Sequence, residues 1–238
     1  MDFIKVLRGF IDRKMVVLLF AIILLFVVLF KSGMFGGTDE RIRITCVGDS
    51  ITYGSGVLRS READSYPSQL QRKVGTSYLV SNFGLRNATA SQQGDTPYIG
   101  SNEYVNSLKS NPDVVILMLG TNDSKVSNWN PNEYRAGLRK LVKAYQDLAS
   151  KPKIYIMRSP HVYPINGDEA EYTIQIPVID NQLGIIVDSV AEDFGAEVID
   201  LYAATGDKAD FYTDGVHFNK QGYEYLTDVI YNAIKDGI

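Results

Sequence analysis

From Arg41 onward, short apolar runs alternate with amphipathic stretches, and this alternation constrains the fold more than any other feature of the chain. The runs fall at 41–47, 78–83, 113–119, 154–157 and 198–201. In the first, Ile42, Ile44 and Cys46 alternate with Arg43 and Thr45, whereas 113–119 is apolar beyond its leading Asp113. A strand without polar alternation is buried on both faces, which places 113–119 at the centre of a mainly parallel sheet. Between the runs, 66–74 carries Leu70 and Val74 at helical spacing with Gly75 as its stop, and 102–108 forms a second helix. A third, 131–149, opens on Pro131 and runs through Leu138, Leu141, Val142, Tyr145 and Leu148. Helices at 174–194, interrupted in pattern by Gly184, and at 221–234 follow. Five strands joined by helices predict a three-layer α/β/α sandwich.

The chain has 238 residues, 45% of them hydrophobic, and a net charge of −4, enough for one substantial core. It shows no basic stripe, which argues against a nucleic-acid partner. Cys46 is the sole cysteine, so an intrachain disulfide and a cysteine metal cluster are both excluded. His161 and His217 are the only histidines, which excludes a multi-histidine metal site and leaves two candidates for imidazole chemistry.

Ahead of the alternating region, residues 15–30 form an uninterrupted apolar run between Lys14 and Lys31. As a helix it reaches about 24 Å, short of a hydrocarbon core of about 30 Å unless the flanking lysines snorkel. No Ala-x-Ala pattern follows, so the expectation is an uncleaved anchor crossing the membrane at 15–31. Lys5, Arg8, Arg13 and Lys14 outnumber Asp2 and Asp12 before it, which predicts a cytoplasmic segment 1–14. A glycine-bearing linker, 32–40, would then lead to an extracytoplasmic domain, 41–238.

Three predicted strands end in polar motifs: Gly48-Asp49-Ser50, Gly84 with the loop after it, and Gly120-Thr121-Asn122-Asp123. A parallel sheet collects such ends at one edge, where open α/β sheets place their sites. Acyl transfer needs an activated hydroxyl, a base and donors aimed at a developing oxyanion. Ser50 offers the hydroxyl, His217 the base, and Asp214 a carboxylate to fix the imidazole tautomer. The N–H groups of Ser50 and Gly84 and the amide of Asn122 are available as oxyanion donors. Each also has a plain structural reading: a helix cap at Asp49 or Ser50, a turn at Gly84, an Asx turn at Asn122, a tight turn at Asp214-Gly215. His161, between Pro160 and Pro164 and with no acid close by, is the rival base.

Taken in order, Gly48-Asp49-Ser50-Ile51-Thr52, Asn82-Phe83-Gly84 with Asn87-Ala88-Thr89, Gly120-Thr121-Asn122-Asp123 and Asp214-Gly215-Val216-His217 resemble the blocks of the SGNH, or GDSL-type, hydrolase superfamily. The resemblance covers roughly residues 41–238 and implies its flavodoxin-like fold, no cofactor and no metal. It also implies a nucleophile at Ser50, a base at His217, an orienting Asp214, and oxyanion donors from Ser50, Gly84 and Asn122. Leu85-Arg86 departs from the small residues common there, making Arg86, with Thr121 and His161, a candidate substrate contact. Because no serine lies in Gly-x-Ser-x-Gly, the α/β-hydrolase alternative fails. Tyr66-Pro67-Ser68-Gln69-Leu70 followed by Asn82-Phe83-Gly84 is similar to carbohydrate O-acetylesterases, so the expected substrate is an acylated carbohydrate. A glycan O-acyltransferase, a GDSL-type lipase or lysophospholipase, and an inactive glycan-binding module are the alternatives.

Overall fold

A computed structural model describes residues 13–31, 39–165 and 170–238, and the expected segments 1–14 and 32–40 lie almost wholly outside them. Two units are present, divided after Glu40. The first contains helix α1 (Arg13–Lys31), whose described side chains, at 15–28, are exposed, Phe20 by 72%. Among the described residues, no helix is long and apolar enough to cross a membrane. Residues 15–28 rise only about 21 Å, against about 30 Å of hydrocarbon. The expected span at 15–31 is thus a helix without support, among the described residues, as a transmembrane one.

The second unit is built on strands β1 (Ile42–Gly48), β2 (Tyr78–Gly84), β3 (Val114–Met118), β4 (Lys153–Arg158) and β5 (Glu197–Asp200). They pair in the order β2-β1-β3-β4-β5, all parallel. The first two strands run one residue further than the apolar pattern suggests, because Gly48 pairs level with Gly84 and closes both ladders. Alternate residues of β3 serve opposite cores. Val115 and Leu117 pack with Leu138, Leu141, Val187 and Val190 on one face. Val114, Ile116 and Met118 pack with Leu70, Leu226 and Ile230 on the other. The apolar run is continuous because neither face of the strand meets water.

Helices α2 (Ser50–Tyr53), α3 (Tyr66–Val74), α4 (Asn102–Lys109), α5 (Pro131–Gln146), α6 (Gly184–Phe194) and α7 (Lys220–Ile234) connect and cover the sheet. Asn130 caps α5 by accepting from the N–H groups of Asn132 and Glu133, with Pro131 in the first turn. The helix stops short of the predicted residue 149, since the Leu148 N–H turns back to Tyr145 O and Lys151 takes φ 49°. The predicted helix 174–194 is divided into a turn at Ile176–Val178, a π-helical segment at Ile179–Leu183, and α6. The backbone stays helical through Gly184, where the π-type pattern gives way to the α-type one.

The strand order sets the ends of β2, β1 and β3 side by side, and glycines let the loops beyond them close up. A Cβ on Gly84 would lie 2.2 Å from the Tyr53 backbone nitrogen, and one on Gly48 would lie 2.7 Å from Met118 O. Gly84→Ala should therefore lower stability by about 1–3 kcal/mol through backbone displacement. Denaturant titration checks this, and an unchanged midpoint would show that the loops are not so tightly apposed.

Candidate active site

The turn after β1 is held from three directions. Asp49 Oδ1 accepts the Ile51 N–H at 2.8 Å and caps α2, which makes Ser50 the first residue of that single turn. Asn82 Nδ2 donates to Thr52 O at 2.9 Å, and the Tyr223 hydroxyl donates to Ile51 O at 2.8 Å. Ser50 is thereby fixed at the sheet edge.

The second half arrives from the loop after β5. Asp214 Oδ1 accepts the N–H groups of Val216 at 3.0 Å and His217 at 2.7 Å, folding the loop so that His217 turns back over its own acid. Gly215 takes φ 77°, and a Cβ there would strike Tyr163 O at 2.1 Å. His217 Nδ1 lies 2.6 Å from Asp214 Oδ2, and Nε2 lies 2.8 Å from Ser50 Oγ. A carboxylate accepts, so Nδ1 carries the proton and the Nε2 lone pair faces the Ser50 hydroxyl. Residues 167 apart in sequence are thus brought into hydrogen-bond contact.

Burial pushes the Asp214 carboxyl up, but the side chain, N–H and charge of His217 together with the Val216 N–H hold it well below the usual carboxylate range. The Tyr172 hydroxyl adds a donor to Asp214 Oδ2 at 3.0 Å, and its ring meets the His217 ring edge-on at a centroid separation of 5.5 Å. Sequence reasoning missed Tyr172. Nothing local marks it except a backbone held at φ 63°, followed by Thr173 at φ 58°, which only coordinates reveal.

The Asn122 side chain is buried and donates to Ala88 O at 3.2 Å. Gly84 requires a correction as an oxyanion donor, because its N–H is already given to Asn82 Oδ1 at 2.9 Å. The glycine serves close packing instead. The turn that follows, 85–88, is tied to β1 by Leu85 N–H to Gly48 O at 2.9 Å and closed by Ala88 N–H to Leu85 O at 3.1 Å. Asn87 occupies its third position at φ 65°, a place suited to glycine or asparagine.

A model of the GDSL-like lipase/acylhydrolase family matches residues 46–225. The chain belongs to this family. It is 36% identical over 213 residues to an acetylxylan esterase of Xylanibacter ruminicola, covering 83% of this chain and 44% of that one. The chain spans about half the length of the curated relatives it matches. Among solved structures, a carbohydrate acetylesterase of Sinorhizobium meliloti superposes with TM-score 0.65 at 21% identity, covering 83% of this chain and all of that one. The native aryl esterase of M. smegmatis gives TM-score 0.64 at 20% identity, again covering 83% of this chain and all of the other. These structural likenesses establish the SGNH-type fold anticipated from the ordered blocks.

Two other expected contacts of this GDSL-type chain, Thr121 and His161, are taken up within the fold. Thr121 is only 2% exposed, with its hydroxyl buried and without a hydrogen bond, so it offers nothing to a substrate. His161 donates its backbone N–H to Thr205 Oγ1, donates through Nδ1 to Tyr202 O at 2.7 Å, and stacks on the Tyr202 ring at 3.8 Å. It braces its own loop, and His217 is the imidazole that reaches Ser50. Arg86 is exposed on the 85–88 turn.

Beneath Ser50 the family's acidic residue has an electrostatic role. Asp49 is fully buried and its Oδ2 has no hydrogen bond. Burial pushes its carboxyl up to about 6, opposed by the Ile51 N–H, the charges of His217 and Lys125, and the nearby Thr121 hydroxyl. Asp123, buried and accepting the N–H groups of Ala90 and Ser91 at 3.0 and 2.8 Å, is likewise pushed to about 6, with the Asp49 charge reinforcing its burial. A raised folded-state pKa means that the Asp49 contribution to stability is fully present below the unfolded value of about 3.9 and is lost as pH rises through about 6. Asp49→Asn keeps the acceptor for Ile51 and removes this titration. Its stability relative to the parent should therefore rise by about 1–3 kcal/mol between about pH 4 and pH 7. Parallel stability curves in urea across that range would refute the assignment.

Proposed function

We propose that the protein is a carbohydrate O-acetylesterase acting through Ser50, His217 and Asp214. The observation that carries the reading is the continuous hydrogen-bond relay from Ser50 Oγ through His217 to Asp214, at 2.8 and 2.6 Å. The acetylxylan esterase relative supports the choice of acetylated carbohydrate as substrate.

In this reading Ser50 Oγ attacks the acetyl carbonyl while His217 Nε2 takes the hydroxyl proton, and Asp214 stabilises the resulting imidazolium. The tetrahedral oxyanion is met by the Ser50 N–H and the Asn122 amide. With the Gly84 N–H committed to Asn82, the further backbone donor falls to Asn87. Its N–H has no hydrogen bond among the described residues, and its turn is joined to Asn122 through Ala88 O. Collapse breaks the ester bond, with the His217 proton passing to the departing sugar oxygen. Water then attacks the acetyl-enzyme by the same proton route in reverse, releasing acetate and restoring the serine. Lipase, acyltransferase and inactive-module readings have no observation of their own in the site.

The proposal includes attachment to a membrane through residues 15–31 with the domain on the extracytoplasmic side. The apolar sequence, the basic residues ahead of it and the exposure of the side chains at 15–28 support it. Alkaline carbonate extraction of the full chain should leave it in the membrane fraction, and release to the supernatant would overturn the attachment.

Ser50→Ala should lower hydrolysis of acetylated xylo-oligosaccharides by at least about a thousandfold with the fold retained. The measurement is acetate release by purified protein, and undiminished turnover by the variant would dismiss Ser50 as the nucleophile.

A further inference from the structure

We propose that Arg86 and Tyr172 form the mouth of this site and make the enzyme select acetyl esters on sugars that also carry a carboxylate. The inference rests on the esterase reading above and adds a substrate class to it.

Arg86 sits at the tip of the 85–88 turn, whose first residue is tethered to Gly48 O at 2.9 Å, only two residues before Ser50. Ala88, at the other end of the turn, is fully buried and its carbonyl accepts from Asn122 Nδ2 at 3.2 Å. Both ends of the turn are thus fixed, one two residues before Ser50 and the other on Asn122, and Arg86 at its tip is exposed. Arg43, Arg61, Arg139 and Arg158 are each in an ion pair with a carboxylate. Arg86 has no hydrogen bond and no ion pair among the described residues. An unpaired guanidinium presents a planar fork that matches a carboxylate in two parallel hydrogen bonds.

Tyr172 stands against the imidazole of the relay. Its hydroxyl donates to Asp214 Oδ2 at 3.0 Å, its ring lies 5.5 Å from that of His217, and it is 49% exposed. The positive field of Arg86 reaches the Tyr172 hydroxyl, where it opposes the upward push from burial and from Asp214. The tyrosine ring offers an apolar face to the C–H face of a pyranose while the guanidinium takes an anionic substituent on it. Of the acids whose fields also reach Tyr172, Asp214 is engaged by four donors, from Val216, His217 twice and Tyr172. Glu171 is exposed on the neighbouring backbone and opposes Arg86.

The test compares the full chain on three matched substrates acetylated at the same hydroxyl: methyl xyloside, methyl glucosiduronate, and the methyl ester of that uronate. At low salt the parent should show kcat/KM about fivefold higher for the free uronate than for its neutral methyl ester, and high salt should shrink the ratio. Arg86→Gln should bring the ratio to about one, Arg86→Lys should restore part of it, and Glu171→Gln should raise it above the parent value. A parent that shows no preference, or an Arg86→Gln variant in which both rates fall equally, would overturn the proposal. Absence of Ser50-dependent hydrolysis on all three substrates would overturn the esterase reading itself. Ser50-dependent hydrolysis with a flat ratio would overturn the charge selection alone.

Discussion

Gly48 lies level with Gly84 on one side and Met118 on the other, and the geometry of the sheet edge depends on that register. It is what allows loops beginning at residues 49, 85 and 119 to meet, although closing such loops carries an entropic cost that local contacts cannot offset. The central strands supply the offset by being buried on both faces, Val47 and Leu117 toward one core and Cys46 and Ile116 toward the other. Where the glycines stand, a methyl group would collide with backbone or with the Thr52 side chain. The position of Ser50 is therefore set by the hydrophobic layers of the sheet, and the polar contacts of the turn only refine it.

Charge at this edge is arranged in two tiers. The upper tier, Asp214 and His217, is partly open, and abundant donors keep the acid ionised. The lower tier, Asp49 and Asp123, is closed, with desolvation dominant in both. Lys125 is 9% exposed, and its charge reaches Asp49. The same side-chain chemistry thus takes opposite roles according to depth. The carboxylate paired with His217 is kept charged near the surface, while Asp49, which caps its own turn, and Asp123, which ties two loops, are buried where charge is expensive.

Much of this was legible in the sequence, for reasons that can be traced to particular residues. Pro67 and Gly75 punctuate α3 so clearly that its predicted and observed limits coincide. Ser50, Asp214 and His217 stood out because only two histidines exist and one follows an acid at the spacing that lets its side chain fold back. The donor assignment at Gly84 failed because its N–H is claimed by an asparagine two residues earlier, a local competition invisible to motif spacing. Tyr172 and Lys125 were missed because their importance comes from partners 42 and 76 residues away, Asp214 for one and Asp49 for the other. The apolar run at 15–30 announced a helix, and a helix forms, but helicity alone does not establish a membrane span.

The loop bearing Tyr172 ties the Asp214–His217 pair to the loop after Asn122. Both Asp214 oxygens have two donors each, which accounts for the acceptor capacity of the carboxylate and leaves it no alternative partner when His217 takes up a proton. One of those donors comes from a segment whose backbone holds two successive non-glycine residues in the left-handed region, a conformation that persists only where its contacts compensate. The Val126 N–H to Thr173 O bond at 3.1 Å, the Gln175 N–H to Ser124 O bond at 3.2 Å and the bridge between Lys125 and Ile174 provide that compensation. They attach the Tyr172 segment to the loop that follows Asn122. Any shift of the loop after Asn122 is therefore transmitted to Tyr172, and through its hydroxyl to Asp214 and its partner His217.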